Sequence, residues 1–276
     1  IVEHNDDSGS VDEQAYIKKL TSDVRVVSIV HTSPVTGMTV DLEKITKEVR
    51  NVTPDCIIIV DGIQHSSHGA IDVQKYDIDG YVVSPYKMFS RHGYGVAWAS
   101  ERLCTLNKEQ LADGPFQNWE LGTRDAGSYA TFSDVVDYLD WLGSNFTESE
   151  NTRERLEASS IAIKSHEQEL VDLVINGAED IVGLRNNKKI RIIGNSASTS
   201  REGVVSFFHK NKPSRIIVEE LRQRKIRVHI RKDDHYCGNI LRPLNQKDCI
   251  RFSICHYNSK AEVVEFMKAI NEISTN

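Results

Sequence analysis

The chain has 276 residues, with 34 Lys and Arg against 40 Asp and Glu, a net charge of −6. An acidic balance of this size argues against a nucleic-acid or anionic-membrane partner, since both reward a basic surface. With 39% hydrophobic and 27% charged residues, the composition is that of a globular protein with one large domain or two moderate ones.

No run of about 18 apolar residues predicts a transmembrane helix. The start Ile1-Val2-Glu3-His4-Asn5 has neither the basic nor the apolar region of a signal peptide. Cys56, Cys104, Cys237, Cys249 and Cys255 stand at irregular spacing with no Cys-x-x-Cys pair. That pattern predicts free thiols in a reducing, cytoplasmic setting and no zinc site.

In chain order, Val24 to Val30 (VRVVSIV) reads as a buried strand. Asp41 to Arg50 has the 3.6-residue spacing of a helix at Leu42, Ile45 and Val49, with Asp41 as N-cap. Cys56 to Val60 (CIIIV), Tyr81 to Val83 and Gly95 to Ala99 predict three further strands. Alternating strands and helices imply an α/β domain with a largely parallel sheet.

Thr131 to Leu142 and roughly Arg153 to Ile175 predict helices, separated by a polar stretch from Gly143 to Thr152. The chain is therefore expected to divide into a domain over 1–150 and a small α+β domain over 151–276. In the second, Ile190 to Ile193, Val204 to Phe208, Ile226 to Ile230 and Ile250 to Ile254 read as strands. Pro213 to Arg224 and Ala261 to Ile273 read as helices, and the basic run Arg222 to Lys225 suits a helix end.

Two residues point to chemistry. Asp61 directly follows the strand CIIIV, and Lys87 follows the strand that holds Tyr81 to Val83. In an open α/β sheet, residues at the carboxyl ends of strands converge on the ligand crevice. A carboxylate and an amine brought together there suit pyridoxal phosphate: the lysine forms a Schiff base and moves protons, and the aspartate keeps the pyridine nitrogen protonated. Gln64 is placed to hydrogen-bond the ring's phenolic oxygen. Singly, an Asp-Gly after a strand is usually a turn and a lysine there is usually solvated.

Four segments together carry a resemblance. The run from Val60-Asp61-Gly62-Ile63-Gln64 to Asp72-Val73 resembles the Asp-Gly-Ala-Gln segment of class V aminotransferases and cysteine desulfurases. Ser84-Pro85-Tyr86-Lys87, with Gly93-Tyr94-Gly95 after it, is similar to their Ser-x-His-Lys segment. Trp119-Glu120-Leu121-Gly122-Thr123 resembles Phe-Glu-x-Gly-Thr. Arg251-Phe252-Ser253, followed by Tyr257-Asn258, resembles their carboxy-terminal Arg-x-Ser and Tyr-Asn.

The resemblance implies a fold type I large domain, part of it present here, with a mostly parallel sheet, plus a small C-terminal α+β domain. It assigns the Schiff base to Lys87, the pyridine nitrogen to Asp61, the phenolic oxygen to Gln64 and the phosphate to Ser84. Tyr86 replaces a phosphate-binding histidine. Thr123 would reach the phosphate of a neighbouring subunit, which implies a homodimer with shared sites. Arg251 would clamp a substrate carboxylate with its planar fork. His31 is read as a substrate-binding residue, and His68 also falls at a family-like place. Pro34 stands where the family often has Asn and cannot donate that hydrogen bond.

Cys237, in Lys232-Asp233-Asp234-His235-Tyr236-Cys237, occupies the place of the persulfide cysteine of one desulfurase group, whose pattern is Arg-x-Gly-His-His-Cys. Lys232 replaces the Arg and Asp234 the Gly. A reactive thiolate needs an exposed, electropositive setting, which Asp233 and Asp234 oppose. Desulfuration or another carbon–sulfur cleavage on an amino acid is thus expected, with transamination or epimerisation as the alternative. Family members normally carry an earlier phosphate-binding loop and an aromatic or His residue that stacks on the ring. Neither is identifiable before Val24, so an inactive fragment or a scaffold of the same fold is a third reading.

Overall fold

The computed structural model describes residues 1–115, 118–119, 121–123 and 125–275. Glu120, within the expected Trp119 to Thr123 motif, lies outside them. The short helix α1 (Glu13–Ile17) precedes β1 (Val26–Val30), α2 (Leu42–Val52), β2 (Ile57–Asp61), β3 (Gly80–Val83) and β4 (Val96–Ala99). Next come α3 (Glu101–Cys104), α4 (Ala126–Gly143) and the 25-residue α5 (Thr152–Asn176).

The first sheet has the order β1-β2-β3-β4. The β1–β2 and β2–β3 pairings are parallel and β3–β4 is antiparallel, so the largely parallel α/β sheet is present. Asp41 caps α2 by accepting from Lys44 N–H at 3.1 Å, and the helix buries Leu42, Ile45, Thr46 and Val49.

β1 departs from the expectation of a buried strand. Only Ile29 is buried, while Val26 and Val30 are exposed. β1 is the edge of this sheet: it pairs on one side, so a β-branched run is left without full cover. β2 alternates, with Ile58 and Val60 buried and Ile57 and Ile59 half-buried.

The second half comprises β5 (Gly177–Ala178), β6 (Ile181–Val182), β7 (Ile190–Ile193), β8 (Val204–His209), α6 (Ser214–Gln223), β9 (His229–Lys232), α7 (Gly238–Leu241), β10 (Asp248–Ser253) and α8 (Lys260–Thr275). Its antiparallel sheet has the order β7-β8-β10-β9. Phe207 and Phe252 each pack against Phe266, with centroids 6.4 and 4.2 Å apart, at the centre of the core. β9 starts three residues later than the apolar run predicts. Lys225 takes a left-handed φ of 63° and Ile226 N–H bonds back to Leu221 O, so Ile226 closes α6 instead of opening a strand.

Two compact units result. One holds Tyr16–His31 and Asp41–Ala162; the other holds Ile1–Ala15, Thr32–Val40 and the chain from Ile163 onward. They differ from the contiguous division at 150, because two N-terminal segments pack with the C-terminal sheet. Ser8 O accepts Gly194 N–H, and Arg191 donates to Asp7 O at 2.6 Å. Among the described residues no helix is long and apolar enough to cross a membrane.

Candidate active site

Three parallel strands end together in the first unit. β1 delivers His31, β2 delivers Asp61 and the turn after it, and β3 delivers Ser84 to Lys87. This is where an open α/β sheet concentrates ligand-binding groups. The Asp61 carboxylate accepts Ile63 N–H at 3.0 Å, which sets the turn into the short 3₁₀ helix His65–Ser67.

Gly62 has a steric reason: a Cβ there would lie 2.1 Å from the Tyr81 ring. Gly62→Ala is expected to displace Tyr81, at an overpacking cost of about 1–3 kcal/mol. Thermal melting together with pyridoxal-phosphate titration checks this, and an unchanged melt with unchanged binding would contradict it.

Lys87 Nζ donates to Gln64 Oε1 at 3.0 Å, and Gln64 Nε2 lies 3.1 Å from His68 Nε2. Gln64, His65 and His68 are all buried. His65 stacks on His31 with centroids 3.6 Å apart, and His31 Nδ1 meets the Tyr81 hydroxyl at 2.9 Å. His31 is itself buried, with its ring held between His65 and Tyr81. The ring is thus engaged in packing within the first unit.

Ser84 precedes the 3₁₀ helix Pro85–Met88 without capping it through its side chain. Tyr86 is exposed and stacks on His92 at 4.3 Å, a partner that sequence reasoning missed. Thr123 is exposed.

In the second unit, Arg251 on β10 donates to the carbonyl of Pro34 at 3.0 Å. Pro34 thus meets the expected substrate-binding arginine through the one polar backbone group it keeps. The loop that carries Pro34 is held by Arg201, which is 4% exposed. Arg201 donates to Thr36 O at 2.8 Å, to Ile193 O at 3.2 Å and to Asn195 O. Burial pulls its guanidinium down to about 10, so it stays charged at neutral pH. Gly37, at φ 77°, lets the loop turn where a Cβ would sit 2.2 Å from Val204 O.

The structure places Cys237 away from the exposed setting that a reactive thiolate needs. It is 1% exposed, in an apolar cluster with Val35, Phe208, Leu241 and Cys249, and burial pushes its thiol up. This is the setting of an inert, structural cysteine. Spacing to a motif placed it in a loop; packing places it in a core. Cys249 is pushed up to about 12 and Cys255 to about 11, both chiefly by burial. Cys237→Ala is therefore expected to leave turnover of a cysteine substrate near the parent rate, at a stability cost of about 1 kcal/mol. Assays of sulfide with pyruvate, and of alanine with an external thiol as sulfur acceptor, check this, and loss of both activities would restore the nucleophile role.

The donor set fits pyridoxal phosphate. Asp61 offers a carboxylate to a protonated ring nitrogen, Gln64 an amide, Ser84 a hydroxyl and Lys87 an amine, all in one unit at the carboxyl ends of β2 and β3. Among the described residues no His, Cys, Asp and Glu cluster could hold a metal ion.

The fold is an open, largely parallel α/β sheet with a lysine and a carboxylate at the carboxyl ends of its strands. Residues 2–266 match the family model Aminotransferase class-V, and the chain belongs to that family. The family depends on pyridoxal phosphate.

Aminotransferase-like protein FGM3 of Gibberella zeae is 26% identical over 263 residues, covering 92% of this chain and 60% of the relative. A probable cysteine desulfurase of Treponema pallidum is 23% identical, covering 97% and 63%, and a cysteine desulfurase of Synechococcus elongatus is 27% identical, covering 98% and 41%. The chain thus spans at most about three-fifths of these relatives. The apo cysteine desulfurase of Thermococcus onnurineus NA1 superposes with a TM-score of 0.78 at 21% identity, over 100% of this chain and 66% of that one. The cysteine desulfurase CsdA of Escherichia coli superposes with a TM-score of 0.73 at 21% identity, over 95% and 62%.

Proposed function

We propose that this chain carries the lysine and carboxylate of a pyridoxal-phosphate enzyme that cleaves a carbon–sulfur bond in a cysteine-like amino acid. The observation that carries the reading is the Lys87–Gln64 contact beside Asp61, at the carboxyl ends of parallel strands. The cysteine desulfurases among its relatives support the substrate class. When bound, the cofactor supplies an electron sink for the substrate's α carbon. Asp61 holds a proton on the ring nitrogen, Ser84 and Tyr86 bind phosphate, and Lys87 Nζ moves the substrate proton. Arg251 orients the substrate carboxylate through its planar fork. Thr123 supports a homodimer with shared sites.

The burial of Cys237 favours two outcomes over transfer to the chain: β-elimination, which releases sulfide and leaves pyruvate and ammonia, or transfer of sulfur to a small external thiol, which forms a persulfide and leaves alanine. Transamination or epimerisation uses the same Lys87 and Arg251 and is the alternative. A substrate screen of the full-length protein with pyridoxal phosphate, following pyruvate, ammonia, alanine and sulfide, tests the reading. Sulfide from cysteine is expected. Keto-acid exchange or racemisation without sulfide would overturn carbon–sulfur cleavage.

A further inference from the structure

We infer that His68 is a positioning residue that locks the Gln64 amide in one orientation, and does so as a neutral imidazole with its proton on Nδ1. The functional meaning rests on the cofactor reading above; the tautomer does not.

Both ends of the Gln64 side chain are engaged, Oε1 by Lys87 Nζ at 3.0 Å and Nε2 by His68 Nε2 at 3.1 Å. A lysine ammonium can only donate, so the atom facing it is the amide oxygen. The amide nitrogen then faces His68, and an –NH₂ group can only donate. His68 Nε2 must therefore offer a lone pair, which leaves the ring proton on Nδ1. The opposite amide orientation would set –NH₂ against the ammonium, a mismatch that no tautomer of His68 repairs.

The pair is buried, with Gln64 9% and His68 3% exposed, so water is poorly placed to repair a mismatch. Local structure fixes the approach. His68 lies four residues past Gln64 across the 3₁₀ turn, and its N–H bonds to His65 O at 2.8 Å. With one amide hydrogen committed to His68, the second is what Gln64 can present to a cofactor oxygen.

Long-range ¹H–¹⁵N spectra of the full-length, cofactor-free protein test the tautomer. His68 is expected with Nδ1 protonated and Nε2 bare, and Gln64→Leu is expected to move the Nε2 resonance. An Nε2–H tautomer or a cationic ring at neutral pH would overturn the inference. In the loaded protein, His68→Phe is expected to weaken pyridoxal-phosphate binding roughly five- to tenfold. It should also move the pH midpoint of the visible absorbance band, while His68→Asn, which can accept through Oδ1, recovers most of both. Parent-like affinity and midpoint in His68→Phe would overturn the positioning role. If the parent protein takes up no pyridoxal phosphate, the proposed function falls and the cofactor-free spectra alone decide the tautomer.

Discussion

Lys87→Ala is expected to abolish the visible absorbance that the protein gains with pyridoxal phosphate and to lower amino-acid turnover by at least about 10²–10⁴-fold, the usual contribution of a positioned acid–base group. The expectation rests on placement. Lys87 follows β3 at its carboxyl end, half-buried, with its amine on Gln64 Oε1. The side chain is half-buried and outside the apolar core, so the fold should survive its loss. Circular dichroism and absorbance spectra, read on the same samples, separate the two effects. A variant that keeps the parent's visible band would mean that another group holds the cofactor.

Asp79→Ala is expected to destabilise the first unit by about 3–5 kcal/mol, measured by chemical denaturation. Asp79 is 1% exposed at the start of β3, the end opposite Lys87. Its carboxylate accepts Arg50 at 3.0 Å, Arg102 at 2.7 Å, Ile58 N–H at 2.8 Å and the Ser100 hydroxyl at 3.1 Å. One side chain thus ties together α2, β2, β3 and α3. Its removal leaves the buried Ile58 N–H without its acceptor and takes from the largely buried Arg50 the closer of its two carboxylate partners, the other being the exposed Asp77.

Burial alone would raise the Asp79 carboxyl. The hydrogen bonds from Ile58, Arg50 and Arg102 outweigh it and hold the carboxyl below the ordinary carboxylate range. A depressed folded value means that the contribution is complete above the unfolded value, near pH 4, and is lost as pH falls through the lower folded value. Acid unfolding of the parent should therefore show a step below about pH 4 that Asp79→Ala lacks. Equal acid sensitivity of the two proteins would contradict this account.

The strands and helices were legible because their signals are local: β-branched runs at Ile57 to Val60 and Ile190 to Ile193, and the 3.6-residue spacing of Leu42, Ile45 and Val49. The relation of Asp61, Gln64 and Lys87 was legible because strand ends converge by topology. What stayed hidden depends on partners distant in the chain. The exposure of Val26 and Val30 follows from β1 being a sheet edge, which no local pattern states. Arg201 gave no signal, since its acceptors are backbone carbonyls of Thr36, Ile193 and Asn195. The His31–His65 stack joins the end of β1 to the 3₁₀ helix after β2, 34 positions apart. The burial of Cys237 was hidden because motif spacing places a residue along the chain and says nothing of the apolar neighbours around it.

The central claim is that Lys87 holds the cofactor. Borohydride reduction of the pyridoxal-phosphate-loaded protein, followed by peptide mass spectrometry, tests it most directly. The account predicts one phosphopyridoxyl label, on the peptide that contains Lys87, absent from Lys87→Ala. A label on a different lysine, or none after full loading, would contradict it.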